Sequence, residues 1–127
     1  MSEPLLAVET LCTSYGKIRI LRDVALQVGQ GECVALLGLN GAGKTTTLRS
    51  ILGLTTPRSG TIRFDGADIT GWPAYKVARL GVGYVREGRR MFKDLTTLEN
   101  LQLAENGRSG GWTIARVLEH LPKLAEL

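Results

Sequence analysis

One stretch constrains this chain more than any other: the pattern Gly-x-x-x-x-Gly-Lys-Thr at residues 38–45. A continuous apolar run at residues 33–37 precedes it and is typical of a strand buried on both faces. A segment with Leu48, Ile51 and Leu52 at helical spacing follows it. A glycine loop leading into a helix N-terminus forms a cradle of backbone N–H groups for phosphate oxygens. A chance glycine-rich turn does not explain this order of strand, loop and helix, so the sequence predicts a nucleoside triphosphate site.

Two side chains of this loop add to the backbone cradle. Lys44 can reach the β- and γ-phosphates of a bound nucleotide. The hydroxyl of Thr45 is placed to ligate Mg²⁺.

Composition narrows the class of protein. A chain of 127 residues that is 43% hydrophobic can bury one modest core, so we expect one domain or part of one. The net charge of +4 could suggest nucleic acid, but acidic residues interrupt the basic ones, which favours an ordinary solvated surface and no nucleic-acid partner. Residues 33–37 are too few to span a bilayer, and the N-terminus lacks a secretory signal. Cys12 and Cys33 are isolated, as is typical of reduced cysteines in a cytosolic protein.

The remaining patterns predict a strand-rich first two thirds and a helical last third. Residues 33–37 and 82–85 are the expected members of a parallel sheet. The expected elements, in chain order, are strands at 5–11, 24–28 and 33–37, a polar turn at 13–17, a helix from Lys44 to Gly53, a hairpin turning at Asp65-Gly66, a short helix from Pro73 to Gly81, a strand at 82–85, a helix opened by Thr96 and Glu99 and closed near Asn106-Gly107, and an amphipathic helix that Pro122 ends.

Together these pieces resemble the nucleotide-binding domain of ABC transporters, and within that family the branched-chain amino acid, LivF-like, branch. The resemblance runs from about residue 5 to the C-terminus. It implies an α/β P-loop NTPase fold, truncated, with an N-terminal antiparallel β lobe. Residues 5–94 would form the nucleotide-binding core lobe and residues 95–127 the beginning of a helical subdomain, so 1–127 is a partial domain. The matching motifs are Tyr15-Gly16-Lys17, Gly31-Glu32, Gly38 to Thr46, Ser59 to Gly66, Glu87 to Phe92, Leu95-Thr96 and Glu99-Asn100-Leu101.

The resemblance also implies a role for each matching position, with ATP and Mg²⁺ as the cofactors. Tyr15 matches the aromatic residue that stacks on adenine, although without the family a half-buried loop tyrosine explains it equally well. Thr46 is expected near the α-phosphate. The implied nucleotide-binding residues are Tyr15, Gly38, Leu39, Asn40, Gly41, Ala42, Gly43, Lys44, Thr45 and Thr46.

Glu87 stands where most members of the family carry a glutamine that contacts Mg²⁺ and the attacking water. It is therefore the candidate catalytic residue and, with Thr45, a candidate metal ligand, because a carboxylate can hold a hard cation. Arg86 replaces a proline expected in that loop, so the loop can differ in shape. Residues 89–92 are a candidate docking surface for a permease, and a solvated surface loop is the equally open alternative.

Hydrolysis of this kind needs a further acidic pair after an apolar strand, and no such run occurs in the sequence. Ser109-Gly110-Gly111 looks like the family's signature motif, but Trp112 follows it in place of glutamine. His120 lies in an amphipathic segment instead of following a strand, so it is not expected to be the switch histidine. We therefore expect the N-terminal part of an ABC ATPase that lacks hydrolysis by itself.

The function implied by the resemblance is the ATP-binding subunit of an importer, which couples ATP binding and hydrolysis to branched-chain amino acid transport. Such a subunit is cytoplasmic and peripheral on the inner face of the cell membrane. Its partners are transmembrane permease subunits and a second ATPase subunit, identical or different. Two alternatives stay open: a short ATP-binding module without hydrolysis, and the equivalent subunit of a urea or amide importer.

Overall fold

The computed structural model describes residues 2–88, 90–105 and 110–127. These divide into two compact units, Met1–Tyr84 and Val85–Leu127. Three predicted features lie wholly or partly outside the described residues: the docking loop at Arg89, the helix end at Asn106-Gly107, and the signature-like motif at Ser109. The elements are β1 (Leu6–Tyr15), β2 (Ile18–Val28), α1 (Lys44–Ile51), β3 (Ser59–Phe64), β4 (Ala67–Asp68), α2 (Ala74–Arg79), α3 (Thr97–Ala104), α4 (Ile114–His120) and a 3₁₀ helix (Pro122–Glu126).

A four-stranded antiparallel sheet in the order β2-β1-β3-β4 forms the first unit. At its centre Val8 pairs with Leu26 on one side and Ile62 on the other. The core lies between one face of this sheet and helices α1 and α2. These elements and the segment after β4 supply all of its fully buried apolar side chains. The core residues are Val8, Leu11, Leu21, Ile51, Ile62, Ile69 and Val77. The predicted antiparallel β lobe is confirmed.

Two tight turns connect the strands of this sheet. Asp65 and Gly66 have φ angles of 48° and 81°, the left-handed backbone that a two-residue hairpin turn requires, and the predicted hairpin is confirmed. The turn between β1 and β2 is shorter than the one predicted at residues 13–17, since Thr13 pairs with Leu21 and Tyr15 with Ile18. Strand β1 therefore runs on to Tyr15, which brings that tyrosine to the edge of the candidate site.

Helix ends follow the local sequence signals. After α1, the N–H of Leu54 donates to the carbonyl of Arg49 (2.9 Å) and the N–H of Gly53 to that of Ser50 (3.4 Å), the Schellman arrangement. Thr96 and Glu99 form the predicted capping box at the start of α3. Pro122 ends the α-helical geometry of α4 and begins the 3₁₀ helix, as predicted.

The prediction of strands at residues 33–37 and 82–85 is wrong. Neither segment is a strand, and every residue from Gly31 to Asn40 is exposed. A parallel strand is stable only when hydrogen-bonded neighbours and covering helices surround it. Within the described residues, the sheet is complete with β1 to β4 and pairs with neither segment. The glycine loop therefore follows an exposed segment without regular secondary structure instead of a buried strand.

The second unit is helical and has little core. No residue of α3, α4 or the 3₁₀ helix is buried. Leu98, Leu101 and Leu118 instead line a shallow groove between the helices. No helix of the described chain is long and apolar enough to cross a membrane.

Candidate nucleotide-binding site

The glycine loop and the end of β1 enclose an open cleft of about 280 Å³, the phosphate-loop cleft. Seven of the ten predicted nucleotide-binding residues line it, and Ile20 of β2 completes the wall. The structure therefore brings together residues that are up to 31 positions apart in sequence, from Tyr15 to Thr46. The lining residues are Tyr15, Ile20, Asn40, Gly41, Gly43, Lys44, Thr45 and Thr46.

A tight turn shapes the loop. The N–H of Ala42 donates to the carbonyl of Leu39 (3.0 Å), and Gly43 has a φ of 101°. A Cβ atom at position 43 would lie 2.6 Å from Cδ2 of Leu21, a core residue whose side chain would have to shift. Both the backbone angle and this close approach require glycine at the start of α1.

The N-terminus of α1 leaves backbone donors available. Gly43 is the N-cap and provides no side-chain cap, and the first helical bond runs from the N–H of Thr47 to the carbonyl of Gly43 (2.9 Å). The N–H groups of the three residues in between have no partner within the helix. Because the positive end of the helix dipole adds to these donors, this end of α1 favours an anion.

Lys44 lies over the loop that it follows. Its Nζ atom donates to the carbonyl of Gly38, so the ammonium group stays beside the backbone donors of α1. Thr45 is exposed on the cleft, whereas Thr46 is buried. A cation and several N–H donors, with no carboxylate on the lining, match the charge and the oxygens of a polyphosphate.

The same lining fits Mg²⁺ only when phosphate oxygens accompany it. The described residues contain no group of three or more His, Cys, Asp or Glu side chains that could hold a metal. Thr45 offers one hydroxyl ligand, and Mg²⁺ commonly completes its octahedron with substrate phosphates and water. When bound, the ion would neutralise charge on the phosphates.

Tyr15 presents a ring to this cleft. The side chain is 45% exposed, and its Oη atom lies 3.3 Å from Oγ1 of Thr55. The hydrogen bond with Thr55 is the main cause of a lowered Tyr15 pKa, with smaller contributions from Thr46 and from the positive charge of Arg49. Burial opposes the shift. The ring is thus held at its hydroxyl end and open on the cleft side.

Glu87 is exposed and belongs to the second unit. Its catalytic and metal-binding roles stay predictions. Residues 86, 88, 90, 91 and 92 are exposed as well. This exposure is compatible with either the docking surface or the solvated loop.

Sequence reasoning missed three residues of the site. Ile20 lines the cleft, Thr55 contacts the hydroxyl of Tyr15, and Arg49 donates to Thr55. Ile20 lies just after the turn that follows Tyr15, so a hairpin drawn from the sequence could have indicated it. No local pattern marks Thr55, because its partner is 40 residues away.

The glycine loop, the open helix end and Lys44 define a P-loop nucleotide-binding protein. The sequence model of the ABC transporter family matches residues 21–126 of the chain. The chain belongs to the ABC transporter family.

Similar proteins agree with this assignment. The chain is 38% identical to the "High-affinity branched-chain amino acid transport ATP-binding protein BraG" of Pseudomonas aeruginosa, over 96% of the chain and 54% of BraG. It is 42% identical to the "Nod factor export ATP-binding protein I" of Ralstonia nicotianae, over 98% of the chain and 38% of that protein. A solved "ATP binding subunit of ABC transporter" superposes with a TM-score of 0.72 at 37% identity, over 96% of this chain and 49% of the other. The chain thus spans about half or less of the length of these relatives.

Proposed function

We propose that this chain binds MgATP in the phosphate-loop cleft, as part of the ATP-binding subunit of an ABC transporter. The observation that carries the proposal is the juxtaposition of Lys44 and the open N-terminus of α1 on one cleft wall with Tyr15 on the same lining. Phosphates would bind to the backbone donors and the ammonium group, while the tyrosine ring offers a π-face to the base.

For the transported solute, the proposal is import of branched-chain amino acids. The name of BraG supports this cargo, and the motifs around Glu87 support the same branch of the family. The name of the Nod factor export protein supports a second candidate, an exporter subunit with a different cargo. In either case the subunit would be cytoplasmic, peripheral on the membrane, and would work with permease subunits and a second ATPase subunit.

Catalysis is proposed to need more than this chain. Within the described residues no carboxylate lines the cleft, and Glu87 is the one acidic residue that the family resemblance assigns to the attacking water. We therefore propose that these 127 residues bind ATP without turning it over.

Calorimetric titration with MgATP tests the site, with Lys44→Ala as the variant and phosphate release followed in the same samples. Removing the ammonium group should weaken binding at least about tenfold, because charge-assisted hydrogen bonds to phosphate contribute about 1.5–3 kcal/mol each. The matched control is Lys17→Ala, an exposed lysine of the first unit outside the cleft lining. Equal affinity of wild type and Lys44→Ala would contradict the site, and release above the variant's background would contradict the absence of turnover.

Uptake measurements separate the two cargo proposals. Cells lacking the gene should lose accumulation of radiolabelled leucine if the subunit serves branched-chain amino acid import. Unchanged uptake of leucine, isoleucine and valine would contradict that cargo. Parallel assays with urea test the remaining importer alternative.

A further inference from the structure

A hydrogen-bonded link behind the phosphate-loop cleft joins Tyr15 to α1. The Oη atom of Tyr15 lies 3.3 Å from Oγ1 of Thr55, and Nε of Arg49 donates to the same Oγ1 at 3.3 Å. The N–H of Thr55 also donates to the carbonyl of Arg49 at 3.2 Å. Thr55 is therefore fixed to the last turn of α1 through both its backbone and its side chain.

The donors and acceptors of this link are complementary. A guanidinium can only donate, so Oγ1 of Thr55 accepts from Arg49 and keeps its own proton and one lone pair for Tyr15. Thr55 and Arg49 also lower the pKa of Tyr15, because both groups favour its phenolate form. The contact therefore acts on the hydroxyl of Tyr15, whose side chain lines the cleft and is partly exposed.

The supporting residues are more buried than the ring that they hold. Arg49 and Thr55 are half-buried, whereas Tyr15 is 45% exposed. The Oη atom lies on the Cβ–Cγ axis, so a hydrogen bond there restricts rotation about the Cα–Cβ bond and fixes where the ring lies. A ring held in place in this way can stack on a planar base with less loss of side-chain entropy on binding.

We propose that Thr55 and Arg49 are positioning residues that orient the ring of Tyr15 for stacking on the base of the bound nucleotide. This inference rests on the proposed function, nucleotide binding in the phosphate-loop cleft. Helix α1 would then serve both ends of the ligand. Its first residues bind phosphates, and Arg49 in its last turn holds Thr55, which sets the surface for the base.

The test compares MgATP with magnesium tripolyphosphate, which has the phosphates of ATP but no base. Thr55→Val keeps the shape of the side chain and removes its hydroxyl. We expect it to weaken MgATP binding about threefold to tenfold, the range of one aromatic stacking interaction, and to leave tripolyphosphate binding unchanged. Thr55→Ser should restore the affinity for MgATP, and Thr55→Val should have no further effect in a Tyr15→Phe background.

A second measurement follows the hydroxyl directly. Ultraviolet titration of the wild type, with Tyr15→Phe subtracted, reports the ionisation of Tyr15 alone among the three tyrosines. Its midpoint should lie below 10.0 and rise in Thr55→Val. Arg49→Gln, which removes the donor to Thr55 and the charge, should raise it as well, and this readout holds even if one variant binds nucleotide poorly.

The outcomes distinguish the two proposals. If the wild type binds MgATP and tripolyphosphate but Thr55→Val binds MgATP unchanged, or loses both ligands equally, the positioning role is wrong and the nucleotide site stands. If the wild type binds neither ligand, the proposed function fails and this inference fails with it.

Discussion

Buried hydroxyl groups join β1 to α1 beneath the phosphate-loop cleft. Thr13 and Ser50 are 0% and 2% exposed, and their Oγ atoms lie 2.9 Å apart. Oγ of Ser50 also lies 2.8 Å from the carbonyl of Thr46, to which it donates. Since a serine hydroxyl carries one proton, Thr13 must be the donor to Ser50. Each of these two hydroxyl groups thus has a hydrogen-bond partner. Helix α1, whose N-terminus lines the phosphate-loop cleft, is thereby fixed to strand β1 of the sheet.

Ser50→Ala should destabilise the first unit because it leaves the hydroxyl of Thr13 buried without its acceptor. The expected loss is about 1–3 kcal/mol in free energy of unfolding, the usual cost of one unsatisfied buried group. Urea denaturation followed by circular dichroism measures it. In a Thr13→Val background the same substitution should cost less, because no hydroxyl is left unpaired. Costs that simply add in the double variant would argue against the link.

At the scale of single residues, the sequence marks the loop residues but not the side chains that support them. Lys44 and Thr45 were assigned from a pattern of eight adjacent residues. Thr13, Ser50 and Thr55 carry no such pattern, because their partners are 37 and 40 positions away in the chain. Side chains that support a site from across the fold cannot be recognised by spacing alone.

Beyond single residues, a polar link at the end of the β3–β4 hairpin stabilises the edge of the sheet. Thr70 donates to Oδ1 of Asp68 through its N–H (2.9 Å) and its hydroxyl (2.6 Å). Oγ1 of Thr70 in turn accepts from the N–H of Ile62 (2.8 Å), a core residue of β3. The hydroxyl and then the N–H of Thr70 hold the pKa of Asp68 below its ordinary value of 3.8.

A lowered pKa makes the stability of this hairpin depend on pH. The ionised form of Asp68 favours the folded state, so its contribution is fully present above pH 3.8 and is lost as the pH falls through the lower pKa of the folded state. The difference in free energy of unfolding between the wild type and Asp68→Asn should therefore be constant near neutral pH and shrink below pH 3.8. Urea denaturation at stepped pH measures it, and a difference that stays constant down to pH 2 would contradict the prediction.

Elements were predictable where their determining contacts are local. The Asp65-Gly66 hairpin, the Thr96 capping box and the glycine end of α1 each depend on bonds within a few residues, and all three are confirmed. The strand at residues 33–37 depends on neighbours far away in sequence, and the described sheet supplies none. An apolar pattern favours burial, but it cannot show which strands will pair with it.

For the molecule as a whole, the segment at residues 33–39 exposes a run of apolar side chains. Leu37 and Leu39 are 88% and 86% exposed, and Val34 and Leu36 are 45% and 39% exposed. Contiguous exposed apolar side chains favour association with other chains, since they offer hydrophobic surface.

We therefore expect the 127-residue chain to self-associate at about 10 to 100 μM, and Leu37→Ser to shift association to higher concentration. Sedimentation velocity over a dilution series measures the change. Ile18→Ser is the matched control, because Ile18 is 68% exposed but lies outside the segment, beside the β1–β2 turn. If both substitutions act equally, general hydrophobicity drives association. A wild type that stays strictly monomeric over this range would contradict the prediction.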